Sequence, residues 1–223
     1  MLKAAIFDVD GTLLDSVDLH AAAWHEAFAE FGHAVSFEDA RAQIGKGGDQ
    51  LIPVFLSEKE RRDHGDDLDE WRGRLFKARY LPLVLPSSAV PELLKRTREA
   101  GLHVAAASSA KKSELEKYLE IARIHELVDV TVSSEDVEHS KPEPDVFISV
   151  LKKLRVAGGD AVAIGDTPYD AIGAARAGIS TIGVLCGGFT EESLRQAGCI
   201  EIHPGPASIF ARFEDTALAT GPR

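Results

Sequence analysis

The apolar and polar residues follow two different patterns along the chain. Residues 17–80 repeat apolar side chains at helical spacing and contain no stretch typical of a β-strand. From residue 90 onward, helical segments alternate with short apolar runs, which are typical of strands buried on both faces. Such alternation predicts a parallel sheet with helices packed on both faces. The sequence therefore predicts an α/β fold, a doubly wound parallel-sheet core with an all-helical segment inserted after the first strand.

The predicted elements also divide the chain into two domains. Core strands are predicted from Ala4 and at residues 102–107, 128–132, 161–164, 179–185 and 200–202, and core helices at residues 90–100, 113–124, 145–154, 170–177, 191–197 and near Ile209. The helical segment is predicted to hold helices at residues 17–31, 37–44 and 50–56, a capping box at residues 57–60, and a long helix that ends near Tyr80. We expect residues 1–15 and 84–223 to form the core, residues 16–83 to form a helical cap domain, and the tail from Thr216 to be disordered.

Two carboxylates stand at the end of the first predicted strand. In the segment AAIFDVDG, residues 4–11, Asp8 and Asp10 point to the same side of the strand, and Gly11 ends it. Two like charges this close repel each other unless a cation lies between them, and an oxygen-rich site of this kind suits Mg²⁺. Ligands of open α/β sheets bind beyond the carboxyl ends of the strands. We therefore expect a metal-dependent active site here.

Further polar and charged residues lie at the ends of later core strands or in the loops after them. Ser108 and Ser109 end the second core strand, Lys141 lies in the segment SKPEPD, and Asp166 and Asp170 lie in GDTPYD. Capping of the next helix is the simpler explanation for the serines and for Asp170. Because the carboxyl ends of parallel strands meet at one edge, Asp166 is expected to complete an oxygen-only shell there. Lys141 would supply positive charge locally.

These segments resemble four motifs of one superfamily. DVDGTL, residues 8–13, resembles the first motif of the haloacid dehalogenase superfamily, and the segments around Ser108, Lys141 and Asp166 match its second, third and fourth motifs in order. The resemblance implies that Asp8 is the nucleophile and that Asp10 is the general acid and base. It also implies that Ser108 donates to a phosphoryl oxygen and that Lys141 steadies the nucleophile and the phosphoryl charge.

The same resemblance implies a Mg²⁺ site. Its ligands would be an oxygen of Asp8, the backbone carbonyl of Asp10, Asp166 and water, with Thr12 and Asp170 as supporting residues. The implied activity is hydrolysis of a small-molecule phosphate ester through an aspartyl-phosphate. Phosphoglycolate and small sugar phosphates are the substrates that we expect first.

The helical segment resembles the caps of superfamily members in which the cap follows the first motif. His20, Lys46 and Ser109 are candidate contacts with the substrate. His20 and Trp24 resemble the β-phosphoglucomutase branch, which makes a sugar-phosphate mutase the main alternative. Gly48 stands where that branch carries a cap arginine. A second phosphate would then be poorly held, because this loop offers Lys46 instead, and arginine matches phosphate geometry better than lysine does. We therefore expect a phosphatase.

A signalling module is the alternative from another class. Receiver domains also combine carboxylates, a hydroxyl, a lysine and Mg²⁺ on a doubly wound sheet. Their phosphorylated aspartate ends the third strand, whereas the third core strand here ends in Val132-Ser133-Ser134. No acceptor carboxylate is evident there, and a receiver domain would have no use for a cap insert. We therefore expect an enzyme.

Composition and charge limit the partners. Acidic residues number 36 and basic residues 25, a net charge of −11, which disfavours nucleic acid and anionic membranes as partners. No apolar run reaches the roughly 18 residues of a membrane span, and the first core strand begins so early that we expect no signal peptide. Cys186 and Cys199 are expected to be reduced thiols. We therefore expect a cytoplasmic protein.

Overall fold

The computed structural model describes residues 2–222, and its centre is a six-stranded parallel sheet. In chain order the strands are β1 (Ala4–Phe7), β2 (Leu14–Asp15), β3 (Leu85–Pro86), β4 (His103–Ala107), β5 (Val130–Val132), β6 (Ala161–Gly165), β7 (Ser180–Val184) and β8 (Cys199–His203). The sheet order is β5-β4-β1-β6-β7-β8, and every pair in it is parallel. The predicted α/β core is confirmed.

Helices surround this sheet and fill the segment between β2 and β3. They are α1 (Val17–Glu30), α2 (Phe37–Arg41), α3 (Gly48–Phe55), α4 (Glu58–Leu75), α5 (Val90–Glu99), α6 (Lys112–Ala122), α7 (Asp145–Leu154), α8 (Pro168–Arg176), α9 (Glu191–Gln196), α10 (Pro206–Ala211) and α11 (Ala217–Thr220). Within residues 2–222, none of them combines the length and the apolarity that crossing a membrane requires.

Strand β1 is buried on both faces because its side chains alternate between two apolar clusters. Ala5 and Phe7 belong to the larger cluster, on one side of the sheet, and Ala4 and Ile6 to the cluster on the other side. Its neighbours β4 and β6 pair with it in the same register, since Phe7 lies opposite Ala106 and Ile164. The residues that follow β1, β4 and β6 therefore emerge side by side.

The helical segment has an apolar cluster of its own. Trp24 and Phe28 of α1 pack with Leu51 of α3 and Leu68 of α4, and all four side chains are buried. Ser57 and Glu60 form the predicted capping box at the start of α4, and a π-helical turn at Phe76–Tyr80 continues that helix. The cap domain at residues 16–83 stays a prediction.

The chain enters and leaves the helical segment through one antiparallel pair. Leu14 lies opposite Pro86, and Asp15 lies opposite Leu85. The sequence did not predict these strands, because two residues are too few to establish an alternating pattern. The pair holds the two connections together, a few residues beyond Asp8.

The predicted disorder of the tail from Thr216 is wrong. Residues 217–220 form α11, and both Ala217 and Leu218 are buried in the larger core cluster. The backbone N–H of Ala217 also donates to Oε1 of Glu201 at 2.8 Å. Four residues are too few to show a repeating helical pattern, so the sequence alone could not distinguish this packed helix from a disordered tail.

Replacing Leu218 by alanine tests this correction. Leu218 is 2% exposed, and Leu218→Ala should lower the free energy of unfolding by about 2–5 kcal/mol, because it leaves a cavity in the core. Leu83→Ala is the matched control, since Leu83 is 58% exposed, and it should change stability by less than about 0.5 kcal/mol. Urea unfolding measures both values. Equal stability of the two variants would contradict the docked tail.

Candidate active site

Asp8 and Lys141 form a buried ion pair where β1 ends. Lys141 is fully buried, and its Nζ contacts Oδ1 of Asp8, the carbonyl of Ala107 at 2.8 Å and Oδ1 of Asp170 at 2.8 Å. Burial alone would lower the pKa of Lys141, but Asp170 and Asp8 outweigh it and raise the pKa above its usual value. Lys141 is therefore a fixed cation between two carboxylates.

Asp166 brings a third carboxylate to the same point. It is fully buried, and its Oδ1 accepts a hydrogen bond from Oγ1 of Thr12 at 2.9 Å. Asp8, Asp166 and Asp170 each offer an oxygen, and these oxygens lie within 4.8 Å of one another. Oδ2 of Asp8 and Oδ2 of Asp166 are buried without a hydrogen-bond partner among the described residues. The cluster thus offers oxygen ligands, and the described residues supply too few hydrogen-bond donors to pair with all of them.

The electrostatics of this cluster favour a bound cation. Burial, with the charge of Asp170 as a second cause, raises the pKa of Asp8 to about 7. Burial and the charge of Asp8 raise the pKa of Asp166 well above its usual range. Without a further cation, ionised carboxylates this close repel each other and lack the compensation that buried charges need. Oxygen-only ligands of this type fit a hard divalent metal.

Two glycines leave room beside Asp166. A Cβ on Gly187 would lie 1.7 Å from Oδ2 of Asp166, and a Cβ on Gly11 would lie 2.3 Å from the same atom. Gly11 also has φ +86°, a left-handed conformation that only glycine adopts easily. Any side chain at either position would displace the carboxylate, so both glycines keep the cluster open.

Asp10 belongs to a separate network. Its Oδ1 accepts a hydrogen bond from Oγ of Ser16 at 2.7 Å and lies 3.0 Å from Nε2 of His20. That nitrogen is also 3.1 Å from Oη of Tyr118, and the His20 ring stacks on Phe76 at 4.0 Å. Burial raises the pKa of Asp10, but His20 and Ser16 outweigh it and lower the pKa below its usual value. The side chain of Asp10 therefore lies outside the acidic cluster, whose carboxylates are those of Asp8, Asp166 and Asp170.

The remaining core residues of the predicted site lie nearby. Asp170 accepts hydrogen bonds from the backbone N–H and the hydroxyl of Thr167, so it caps α8 while it holds Lys141. Oγ of Ser108 accepts from the backbone N–H of Ala110 at 3.0 Å, which leaves its own hydroxyl hydrogen for another acceptor.

A small cavity of about 40 Å³ separates the strand ends from the helical segment. Asp8 and Asp10 line it on the core side, and His20 and Lys46 line it on the helical side. Nζ of Lys46 donates to Oε1 of Gln43 at 2.6 Å and lies 4.6 Å above the ring of Tyr169. Lys46 is thus already engaged, although it reaches the cavity.

Hydrogen bonds close the helical segment over this cavity. Oγ of Ser109 donates to the carbonyl of Gly45 at 3.1 Å. The backbone N–H of Gly47 donates to Oγ of Ser140 at 2.9 Å, and the backbone N–H of Ser140 donates to Oδ2 of Asp49 at 3.0 Å. Because Ser140 precedes Lys141, these contacts join the helical segment directly to the loop that carries the buried lysine.

The sequence analysis missed two charged residues of the cavity, Arg72 and Glu114. Arg72 lies four residues after Leu68, and Glu114 lies four residues before Tyr118, so both occupy buried faces of their helices. A charge at such a position was the available signal, because charged side chains are rarely buried without a purpose.

Comparison with known proteins identifies the family. The chain belongs to the haloacid dehalogenase-like hydrolases, which it matches over residues 5–184. A phosphoglycolate phosphatase from Vibrio parahaemolyticus is 29% identical over 83% of this chain and 85% of that protein. A phosphorylated carbohydrates phosphatase from Thermotoga maritima is 24% identical over 90% of this chain and 94% of that protein.

A solved structure shares the fold as well. The crystal structure of a hydrolase from Pseudomonas syringae has a TM-score of 0.87 and 24% identity, and the match covers 96% of this chain and 98% of that chain. The family match over residues 5–184 confirms the predicted superfamily and the prediction of an enzyme. The chain is a hydrolase of this family, and phosphatases recur among its relatives.

Filling the space beside Asp166 should weaken metal binding. In Gly187→Ala the new methyl group would overlap Oδ2 of Asp166, and we expect the divalent metal concentration for half-maximal activity to rise about 10–100-fold, as for other disturbed metal ligands. Gly159→Ala is the control, because no atom lies within 4 Å of its Cβ. Activity is titrated with metal after chelation, and circular dichroism checks the fold. An unchanged requirement in Gly187→Ala would contradict the metal site.

Proposed function

We propose that this hydrolase is a Mg²⁺-dependent phosphatase that removes the phosphoryl group from a small phosphorylated metabolite through an aspartyl-phosphate. The observation that carries the proposal is the state of Asp8. Its Oδ1 contacts Lys141, and its buried Oδ2 has no hydrogen-bond partner among the described residues. One oxygen of Asp8 lies within 4.8 Å of carboxylate oxygens of Asp166 and Asp170. A carboxylate that is held in place through one oxygen, while the other oxygen accepts no hydrogen bond, is suited to nucleophilic attack.

In the proposed reaction Asp8 attacks phosphorus, and the ester oxygen departs. Lys141, already protonated and held in place, offsets negative charge at Asp8 as the phosphoryl group arrives. Ser108 donates its hydroxyl hydrogen to a phosphoryl oxygen. Water then attacks phosphorus and regenerates Asp8, so one difficult step becomes two easier ones.

Asp10 is the proposed general acid and base. Its contacts with Ser16 and His20 hold it as a carboxylate on the cavity wall, next to Asp8 but outside the acidic cluster. As a carboxylate it can take the proton of the attacking water, and in its protonated form it can protonate the leaving oxygen. His20 acts through Asp10 and is a positioning residue.

Mg²⁺ is the proposed metal, held by Asp8, Asp166 and the backbone carbonyl of Asp10, with Asp170 and Thr12 in support. The unpartnered oxygens and the glycine-lined space beside Asp166 fit a small, hard cation. Bound there, it would supply positive charge for the carboxylates and for the phosphoryl oxygens.

Residues 16–83 are the proposed cap domain, which excludes water from Asp8 and contacts the leaving group. Phosphoglycolate and small sugar phosphates are the candidate substrates, and the two relatives named above divide between these two kinds of compound. The cytoplasmic location stays a prediction from the sequence.

A sugar-phosphate mutase is the second candidate, and Arg72 is the observation that favours it. The cavity contains this arginine although Gly48 replaces the arginine expected from the mutase branch. Glu114 opposes it, because a second phosphate would meet a buried carboxylate in the same cavity. Hydrolysis is therefore favoured over transfer to a sugar hydroxyl.

Substitutions of the two aspartates should separate their roles. Asp8→Asn should abolish turnover, because an amide oxygen is a poor nucleophile. Asp10→Asn should keep the nucleophile and slow turnover by about 10²–10⁴-fold, the usual effect of a lost acid and base. Phosphate release and circular dichroism are measured for both variants. Wild-type turnover in Asp8→Asn would place the nucleophile elsewhere.

One assay tests the phosphatase against the mutase and tests the metal. Purified protein is incubated with β-glucose 1-phosphate, with and without glucose 1,6-bisphosphate, in Mg²⁺ and in excess chelator. We expect free phosphate to form with Mg²⁺ alone and to stop with chelator. Glucose 6-phosphate accumulating faster than free phosphate would favour the mutase, and full turnover in chelator would contradict the metal assignment.

A further inference from the structure

Glu114 is a buried carboxylate of the active-site cavity that accepts no hydrogen bond from residues 2–222. It lies on α6, is 1% exposed, and neither of its side-chain oxygens accepts a hydrogen bond from the described residues. Nζ of Lys77 lies 3.9 Å from Oε1, which is an ion-pair distance and too long for a hydrogen bond. A buried carboxylate normally accepts several hydrogen bonds, so Glu114 is prepared for donors that the protein does not supply.

Arg72 reaches the same cavity from the helical segment. It is 8% exposed, its guanidinium lies 4.7 Å above the ring of Trp24, and its Nε has no hydrogen-bond partner among residues 2–222. A Cβ on Gly73, the next residue of α4, would lie 4.0 Å from Oε1 of Glu114. Glu114 of the core and Arg72 of the helical segment therefore line the same cavity, at the boundary between the two parts of the chain.

The two residues do not satisfy each other. Within the described chain, the ion pair of Arg72 is with Oδ1 of Asp69 at 3.5 Å, and none at 4.0 Å or less joins it to Glu114. Both line the cavity that also contains Asp8 and Asp10. Among the described residues, a carboxylate without a donor and an Nε–H without an acceptor thus line the cavity beside Asp8.

The charges restrict what that leaving group can be. A carboxylate, as in phosphoglycolate, would meet the buried charge of Glu114. The cations of the cavity wall, Lys46 and Arg72, already contact Gln43 and Asp69 respectively. An ammonium group would face Arg72. A neutral hydroxyl suits both residues, because one O–H group can donate to Glu114 and accept from Arg72 at the same time.

We propose that Glu114 and Arg72 form a specificity pair that selects a phosphate ester whose leaving group is a neutral polyol or sugar and rejects leaving groups that carry a carboxylate. This inference rests on the proposed phosphatase and names the substrate class of its site. A site built to hydrogen-bond hydroxyls discriminates strongly, because an unsuitable ligand leaves its buried polar groups unpaired.

Two probes of nearly equal size provide the test. Glycerol 3-phosphate and 3-phosphoglycerate differ only in a hydroxymethyl group that becomes a carboxylate. We expect wild-type kcat/KM to favour glycerol 3-phosphate by at least about 10-fold, within the range that single polar contacts give. O-Phosphoserine, whose leaving group carries both an ammonium and a carboxylate, should also be poorer than glycerol 3-phosphate.

Neutral substitutions assign the selectivity to these residues. Glu114→Gln should reduce the preference for glycerol 3-phosphate about 10-fold, chiefly by improving kcat/KM for 3-phosphoglycerate. Arg72→Gln should raise KM for glycerol 3-phosphate. Glu116→Gln and Arg74→Gln are matched controls, because both side chains are exposed on the same two helices. Thermal unfolding verifies that each variant folds.

Each result supports or contradicts the proposal. A wild-type preference for 3-phosphoglycerate or for O-phosphoserine would overturn it, and so would a preference in a folded Glu114→Gln variant equal to that of Glu116→Gln. Hydrolysis of p-nitrophenyl phosphate by the wild type distinguishes a failure of the specificity pair from a failure of the proposed phosphatase. If the enzyme hydrolyses that compound but shows no preference for the polyol, only the specificity pair fails. If it hydrolyses none of these esters, the phosphatase itself fails.

Discussion

The site depends on the convergence of buried carboxylates at one edge of the sheet. Asp8, Asp166 and Asp170 come together because β1 and β6 are adjacent and parallel and end at the same level. Such a cluster is stable only when each charge is compensated, and Lys141 supplies one buried cation at its centre. Thr12 binds one further oxygen. Oδ2 of Asp8 and Oδ2 of Asp166 have no hydrogen-bond partner among the described residues, which makes this edge of the core suited to a metal and a phosphoryl group.

In the proposed function, the helical segment gives this edge of the sheet its selectivity. It leaves and rejoins the core through the β2–β3 pair, so its helices are held over the strand ends. Its contacts with the loop before Lys141 close the cavity, and its His20 orients Asp10. The wall formed by Arg72 and Glu114 contains residues from both parts of the chain. On this proposal the residues at the strand ends carry out the chemistry, and the residues between the core and the helical segment select the substrate.

Much of this arrangement was predictable from the sequence, for identifiable reasons. The parallel core followed from apolar runs between helical periods, and Asp8 and Asp166 followed from strand ends that must meet at one edge. The role of Lys141 followed from the resemblance to the third motif of the superfamily. The cap residues were harder to assign, because packing between distant helices decides whether a side chain such as Arg72 faces solvent or the cavity. The β2–β3 pair and the docked helix α11 were missed because elements this short have no period. The sequence also could not separate Asp10 from the acidic cluster, since that depends on its contact with His20.

The most direct test of the account is the identity of the phosphorylated residue. Enzyme that is turning over a phosphate monoester in Mg²⁺ is quenched rapidly in acid, digested and mapped by mass spectrometry. The account predicts a single phosphoryl group on Asp8, present during turnover and absent after the substrate is exhausted. A phosphoryl group on another residue, or rapid turnover with no covalent phosphoryl-enzyme at any quench time, would contradict it.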